Sequence, residues 1–305
     1  MARKGSFSKA IAIGKDLAAA TLERRAQAIA KRQRVLAKVK VEPAAKSVLA
    51  KVPVTHASAG VLIAEGDSWF DYPLQDVLSD LEDSYGFDVE SVAHRGDTVE
   101  DMAYSDGQLD EFSRRVEKVL RTGVAPRAIL LSGGGNDVAG DEFAILLNHA
   151  MSGIAGLNKS IVTGVVDQRV HDAYVTILSA ITAICKGHLG HPVPIVIHGY
   201  DYPVPDGRGF LGGWGPLPGP WLEPGFRQKG YQEMGMRKQI CVELIDRFNA
   251  MLASLAGKPP FSHVKFLDLR NTLPTGAAYK TWWANELHPT PKGFDAVTKK
   301  FAAII

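Results

Sequence analysis

The sequence contains few cysteines and no long apolar stretch, and both absences limit what the protein can be. Only Cys185 and Cys241 are present, in apolar surroundings typical of buried thiols, which excludes a disulfide framework and a cysteine metal site but leaves a single bridge open. No run approaches the roughly 18 consecutive apolar residues of a membrane span, and the first apolar run is too short for a signal peptide. We therefore expect a soluble, cytoplasmic protein, and we predict no metal site and no cofactor.

Net charge is small over the whole chain but large over its first part. The formal charge is +2, whereas residues 1–60 carry 13 Lys/Arg against 3 Asp/Glu, a balance of +10 that leaves about −8 elsewhere. A helical pattern over residues 8–38 indicates a basic N-terminal helix, followed by a connector with two prolines. We predict two domains, 1–57 and 58–305. The first either exposes a solvated helix face or contacts an anionic surface or protein partner; no nucleic acid is expected, and the oligomeric state is not indicated.

Short apolar runs alternate with amphipathic segments from residue 60 onward. The candidate strands are 60–66, 87–93, 127–133, 193–199 and 264–269. Apolar stripes between them indicate helices around residues 109–119, 174–184 and 244–255, and a last helix begins at Thr290-Pro291. Strands alternating with helices predict an α/β fold with a mainly parallel, five-stranded sheet covered on both faces.

One stretch breaks this alternation. Residues 203–226 contain 7 Gly and 6 Pro, together with Trp214 and Trp221. That composition excludes regular structure for most of the stretch. Long loops of this kind often line binding sites. The two Trp side chains therefore either contact substrate or pack against the protein as part of an ordinary surface loop.

Polar residues stand at the ends of the predicted strands. Ser68 follows the first strand in "GDS", Asn136 follows the third in "GGGND", and His288 precedes the last helix. Ligands bind outside the carboxyl ends of parallel strands, so these side chains are expected to meet. Each alone is more typical of a turn, a helix cap or a surface residue than of a catalytic group. The G-x-S-x-G elbow of the α/β-hydrolases is absent, because Phe70 stands at its second Gly.

The order of these groups resembles the SGNH (GDSL-type) hydrolase family over residues 58–305. Ser68, Gly96, Asn136 and His288 match the four letters of that name. The resemblance implies a flavodoxin-like three-layer α/β/α sandwich and a serine esterase or lipase that works through an acyl-enzyme. It implies Ser68 as nucleophile and His288 as base, with an oxyanion hole formed by the Ser68 and Gly96 N–H groups and the Asn136 amide.

The expected substrate is an O-acyl ester on a small molecule, a glycan or a lipid. Tyr200 and Asp201 stand at the end of the fourth predicted strand, where they can contact it together with Trp214 and Trp221. The sequence does not identify the acyl group or the alcohol.

One position departs from the family pattern. Asn285 stands where members usually carry an Asp that orients the catalytic His. Three interpretations follow: Ser68 and His288 work with help from Asn285 or a main-chain carbonyl, Glu286 replaces the Asp, or activity is weakened or lost. In the last case the chain is a binding or structural protein that acts through its basic N-terminal segment.

Overall fold

The computed structural model describes residues 7–16, 19, 23, 58–73, 75–105, 107–212 and 217–305. The strands are β1 (Val61–Glu65), β2 (Asp88–Ser91), β3 (Ala128–Leu131), β4 (Leu147–Asn148), β5 (Gly156–Leu157), β6 (Ile195–His198) and β7 (Val264–Leu267). The helices are α1 (helical residues 7–16), α2 (Val77–Tyr85), α3 (Val99–Tyr104), α4 (Gln108–Leu120), α5 (Lys159–Gly164), α6 (His171–Leu189), α7 (Glu223–Gln228), α8 (Met234–Leu255) and α9 (Pro291–Ile304). Shorter helical turns span Gly140–Leu146, Val165–Val170, Phe210–Gly212 and Tyr279–Thr281.

Five strands form one parallel sheet in the order β2-β1-β3-β6-β7. This is the flavodoxin-like order, and it confirms the predicted fold class. Each strand lies inside its predicted segment. The central strands β3 and β6 are buried along their whole length, as expected of strands covered on both faces. The other two strands, β4 and β5, pair separately as a short antiparallel ribbon.

Helices cover the sheet on both faces. α2 packs with α9, and α3, α4 and α6 pack with one another. The predicted apolar stripes supply this packing; Phe112 and Val116 of α4 and Phe301 of α9 are almost completely buried. The predicted start of the last helix is confirmed, because the Thr290 hydroxyl accepts from the backbone N–H of Gly293 and Pro291 occupies the first turn.

The described part of the basic N-terminal segment packs on the sheet domain. Ala10 of α1 is 2% exposed, and the Phe7 ring lies 5.8 Å from that of His171, at the start of α6. Lys9, Lys15 and Asp16 are exposed, so α1 presents an apolar inner side and a charged outer side. The remainder of the predicted helix and its connector lie outside the described residues, and the division at residue 57 stays a prediction.

Two segments lie between the main elements of the fold. Asp71 and Tyr72 precede α2, which begins at Val77 after a capping box in which Asp76 accepts from the N–H of Ser79. Residues 140–164 include the Gly140–Leu146 turn, the β4–β5 ribbon and α5. Among the described residues, no helix is long and apolar enough to span a membrane.

Candidate active site

The centre of the sheet brings the predicted groups together. Strand order reverses between β1 and β3, and the loops after these strands carry Ser68 and Asn136. A crevice forms at such a reversal. The loop before α9 enters the crevice and places His288 Nε2 2.7 Å from Ser68 Oγ, across 220 residues of sequence.

Hydrogen bonds fix which nitrogen of His288 carries the proton. Asn285 Oδ1 accepts from the backbone N–H groups of Leu287 (3.0 Å) and His288 (2.9 Å). These two donors cannot accept, so the atom between them is the amide oxygen rather than its nitrogen. The same oxygen lies 3.0 Å from His288 Nδ1, which must therefore be protonated. Nε2 is left with a lone pair facing the Ser68 hydroxyl.

Asn285 thus orients the His288 imidazole but carries no charge. The His288 side chain is 6% exposed, and its burial lowers the pKa to about 3. No carboxylate accepts a hydrogen bond from its imidazole among the described residues. His288 is therefore neutral over most of the pH range, but it is also a weaker base than an imidazole paired with a carboxylate.

Glu286 does not take the place of the missing Asp. Its carboxylate is buried and accepts the backbone N–H groups of four residues, Gly207, Trp221, Leu222 and Glu223. These donors hold the Gly/Pro-rich loop (residues 203–226) against the loop that carries His288. The alternative in which Glu286 orients His288 is therefore wrong. The alternative in which a main-chain carbonyl orients it is also wrong, because the Nδ1–H of His288 donates to Asn285 Oδ1.

Tyr72 belongs to the site, and the sequence analysis missed it. Its ring stacks on the His288 imidazole at a centroid distance of 4.4 Å and an angle of 21°, and its hydroxyl accepts from Asn285 Nδ2 at 3.0 Å. Burial raises the pKa of Tyr72 to about 12, which keeps the hydroxyl protonated. The sequence does carry one signal for its place in a loop, since Pro73 follows it and the residue before a proline disfavours the helical conformation.

The three residues predicted to supply oxyanion donors line one cavity together with His288. No described residue accepts a hydrogen bond from the backbone N–H of Ser68 or Gly96, and Asn136 uses one amide hydrogen for the carbonyl of Asp97 at 2.9 Å. Its other amide hydrogen remains available. Gly96 adopts a φ of 93°, which favours glycine, whereas a Cβ there would meet no atom within 4 Å. The glycine is therefore favoured by its backbone conformation and not by the packing of protein atoms around it.

Two cavities meet at Ser68 and His288. An outer one of about 340 Å³ is lined by Gly96 and by the side chains of Tyr72, Phe210 and Trp221. An inner one of about 60 Å³ extends toward α8. Trp221 lines the outer cavity and contacts the His288 ring edge to face at a centroid distance of 5.3 Å, and its contact with substrate stays a prediction. Trp214 lies outside the described residues.

Tyr200 and Asp201 line the inner cavity, but other groups occupy their polar atoms. The Tyr200 hydroxyl donates to the buried carboxylate of Asp67. Asp201 accepts from the backbone N–H groups of Tyr202, Asn271 and Leu273, which braces the loop after β7. Both residues therefore support the cavity wall instead of offering polar contacts to a substrate.

Comparison with known proteins identifies the family of the chain. The chain resembles three solved structures: an acetylxylan esterase from Geobacillus stearothermophilus (14% identity, TM-score 0.36, 81% of this chain and 94% of that one), a carbohydrate esterase family 3 protein from Talaromyces cellulolyticus (12%, 0.39, 80% and 95%) and the α/β hydrolase LAE5 from the Lake Arreo metagenome (12%, 0.40, 81% and 95%). No curated protein matches. The model of the GDSL-like lipase/acylhydrolase family matches residues 58–296, more than three quarters of the 305 residues. The chain therefore belongs to the GDSL-like lipase/acylhydrolase family and is an ester hydrolase.

Proposed function

We propose that the protein is a serine esterase that cleaves an O-acyl ester through an acyl-enzyme, with residues 58–305 as the catalytic domain. The observation that carries this proposal is the 2.7 Å separation of Ser68 Oγ and His288 Nε2, combined with the hydrogen bonds that leave the Nε2 lone pair facing the hydroxyl. A serine hydroxyl is a weak nucleophile until such a base takes its proton.

The reaction begins when Ser68 Oγ attacks the acyl carbon while its proton passes to His288 Nε2. The carbonyl oxygen becomes an oxyanion that accepts hydrogen bonds from the Ser68 and Gly96 N–H groups and the second amide hydrogen of Asn136. Collapse of this intermediate breaks the bond to the alcohol oxygen, which takes the proton from His288. Water then attacks the acyl-enzyme by the same steps, releasing the acid and restoring Ser68.

The imidazolium that forms in each half-reaction has no carboxylate beside it. The oxygen of Asn285 at 3.0 Å and the face of the Tyr72 ring at 4.4 Å are the groups that stabilise its charge. An aromatic face attracts a cation by about 0.5–2 kcal/mol, less than a buried carboxylate would. We therefore propose a working esterase with a modest turnover number.

The test is hydrolysis of p-nitrophenyl esters by the parent protein and by Ser68→Ala. The parent should react, and it should be labelled by a fluorophosphonate probe at Ser68, as located by mass mapping. The variant should lose both properties, with an unchanged circular dichroism spectrum. Equal rates for the two proteins and no labelling of Ser68 would instead favour the binding or structural role that Asn285 suggested.

A further inference from the structure

The two cavities that meet at Ser68 differ in a way that distinguishes the two halves of an ester. The outer cavity, of about 340 Å³, is lined by Gly96, by Arg95 and by the aromatic side chains of Tyr72, Phe210 and Trp221. The inner cavity, of about 60 Å³, is lined by none of these five residues. Both are lined by Ser68, Asn136 and His288, so a carbonyl carbon at Ser68 Oγ has one substituent available for each cavity.

The inner cavity presents an apolar wall. Phe143 and Phe248 are almost completely buried there, alongside Ala139 from the loop after β3 and Ile245 from α8. Two carboxylates also line it. Each accepts three hydrogen bonds: Asp67 from Trp69 N, Ser132 Oγ and Tyr200 Oη, and Asp201 from three backbone N–H groups. Neither carboxylate has a cationic partner among the described residues, so a negatively charged substituent would be repelled.

The order of the chemical events indicates which cavity holds the alcohol and which holds the acyl group of the ester. The alcohol must leave after taking a proton from His288, and water must enter the same space, so the alcohol belongs in the wide outer cavity. The acyl group stays bound to Ser68 throughout the intermediate and needs no exit in that time. A small, apolar space therefore suits the acyl tail.

We infer that the inner cavity is the acyl-binding site and that it restricts the substrate to short, uncharged acyl groups. This inference rests on the proposed function. The inner cavity has less than a fifth of the volume of the outer one, about 60 Å³ against about 340 Å³. Short acyl groups should therefore fit it better than fatty acyl groups do.

The experiment compares kcat/KM for the p-nitrophenyl esters of acetate, butyrate and octanoate and of singly esterified succinate. Butyrate should exceed octanoate by at least tenfold, since a misfit of even one methylene in an apolar pocket changes kcat/KM by about 10–200-fold. Butyrate should also exceed succinate, which has the same chain length and a carboxylate, by at least tenfold.

Two cavity variants assign the selectivity to this space. Ala139→Leu fills it and should lower the butyrate-to-acetate ratio by about tenfold, while Ile245→Ala enlarges it and should raise the octanoate-to-butyrate ratio by a similar factor. A ratio measured on one preparation does not depend on the fraction of protein that is folded. Leu217→Ala, on the wall of the outer cavity, is the matched control and should leave both ratios unchanged.

The outcomes separate the two proposals. If the parent hydrolyses these esters in a Ser68-dependent way but octanoate or succinate equals butyrate, the acyl-site inference fails and the esterase proposal stands. Cavity variants with unchanged ratios overturn it as well. If no ester is hydrolysed, or Ser68→Ala is as fast as the parent, the proposed function fails and this inference fails with it.

Discussion

Replacing Asn285 with Asp should give His288 a charged hydrogen-bond partner in place of a neutral one, without changing the structure of the site. The position already receives three donors, the N–H groups of Leu287 and His288 and the Nδ1–H of His288. Tyr72 accepts from the present amide at 3.0 Å, and its hydroxyl can rotate to donate to a carboxylate instead. A buried carboxylate with four donors stays ionised, so the variant should fold and carry its charge.

The structure sets the size of the effect. A carboxylate about 4 Å from the imidazolium charge stabilises it by about 4 kcal/mol at an effective dielectric constant of 20, or roughly 3 pKa units. The pKa of His288 should therefore rise from about 3 to about 6. If half of that energy is realised in the transition state, kcat near pH 8 should increase about 30-fold.

The pH profile of kcat/KM is the assay, because its acid limb reports the pKa of the essential base in the free enzyme. Only neutral His288 accepts the serine proton, so kcat/KM of the parent should stay constant down to about pH 4. The Asn285→Asp enzyme should lose activity about tenfold per pH unit below about 6. Asn285→Ala, which removes the oxygen, is the control and should lower kcat without creating this limb. A parent enzyme with an acid limb near pH 6, or an Asp variant with an unchanged profile, would refute the reasoning.

Three further changes test other contacts of the site. Asn136→Ala should lower kcat by about 10²–10³-fold with little change in KM, measured by steady-state kinetics, because one oxyanion donor is lost. Tyr72→Phe keeps the ring on His288 but removes the acceptor for Asn285 Nδ2, so kcat should fall only a few-fold. Tyr72→Leu removes the ring as well and should lower kcat further. Equal losses of kcat in the two variants would contradict a role for the ring. Glu286→Gln should lower the free energy of unfolding in urea by about 1–3 kcal/mol, because an amide cannot accept all four backbone N–H groups as well; an unchanged midpoint would show that the loop is held otherwise.

The sheet and the pair at its centre were predictable because their signals are local. A buried parallel strand requires a short apolar run, and each of the five runs became a strand of the sheet. Strands of a parallel sheet end at one edge, so Ser68 and Asn136 had to approach each other once those strands were assigned. Thr290-Pro291 likewise marks a helix start within four residues of sequence.

The other parts of the site depend on contacts that no local pattern encodes. Glu286 could not be assigned from its position next to Asn285, because its role depends on the backbone of a loop more than 60 residues away. The orientation of the Asn285 amide follows from two N–H groups whose directions exist only once the loop is folded. The positive φ of Gly96 is likewise visible only in the structure.

These contacts separate two functions that a single Asp usually combines. The loop from Asn285 to His288 fixes the orientation and tautomer of the imidazole through neutral hydrogen bonds, and Glu286 and Tyr72 hold that loop in place. Only the charge is missing. Because geometry and charge depend on different atoms, the effect of Asn285 should appear in kcat and its pH dependence, whereas the affinity for substrate should remain that of a fully assembled site.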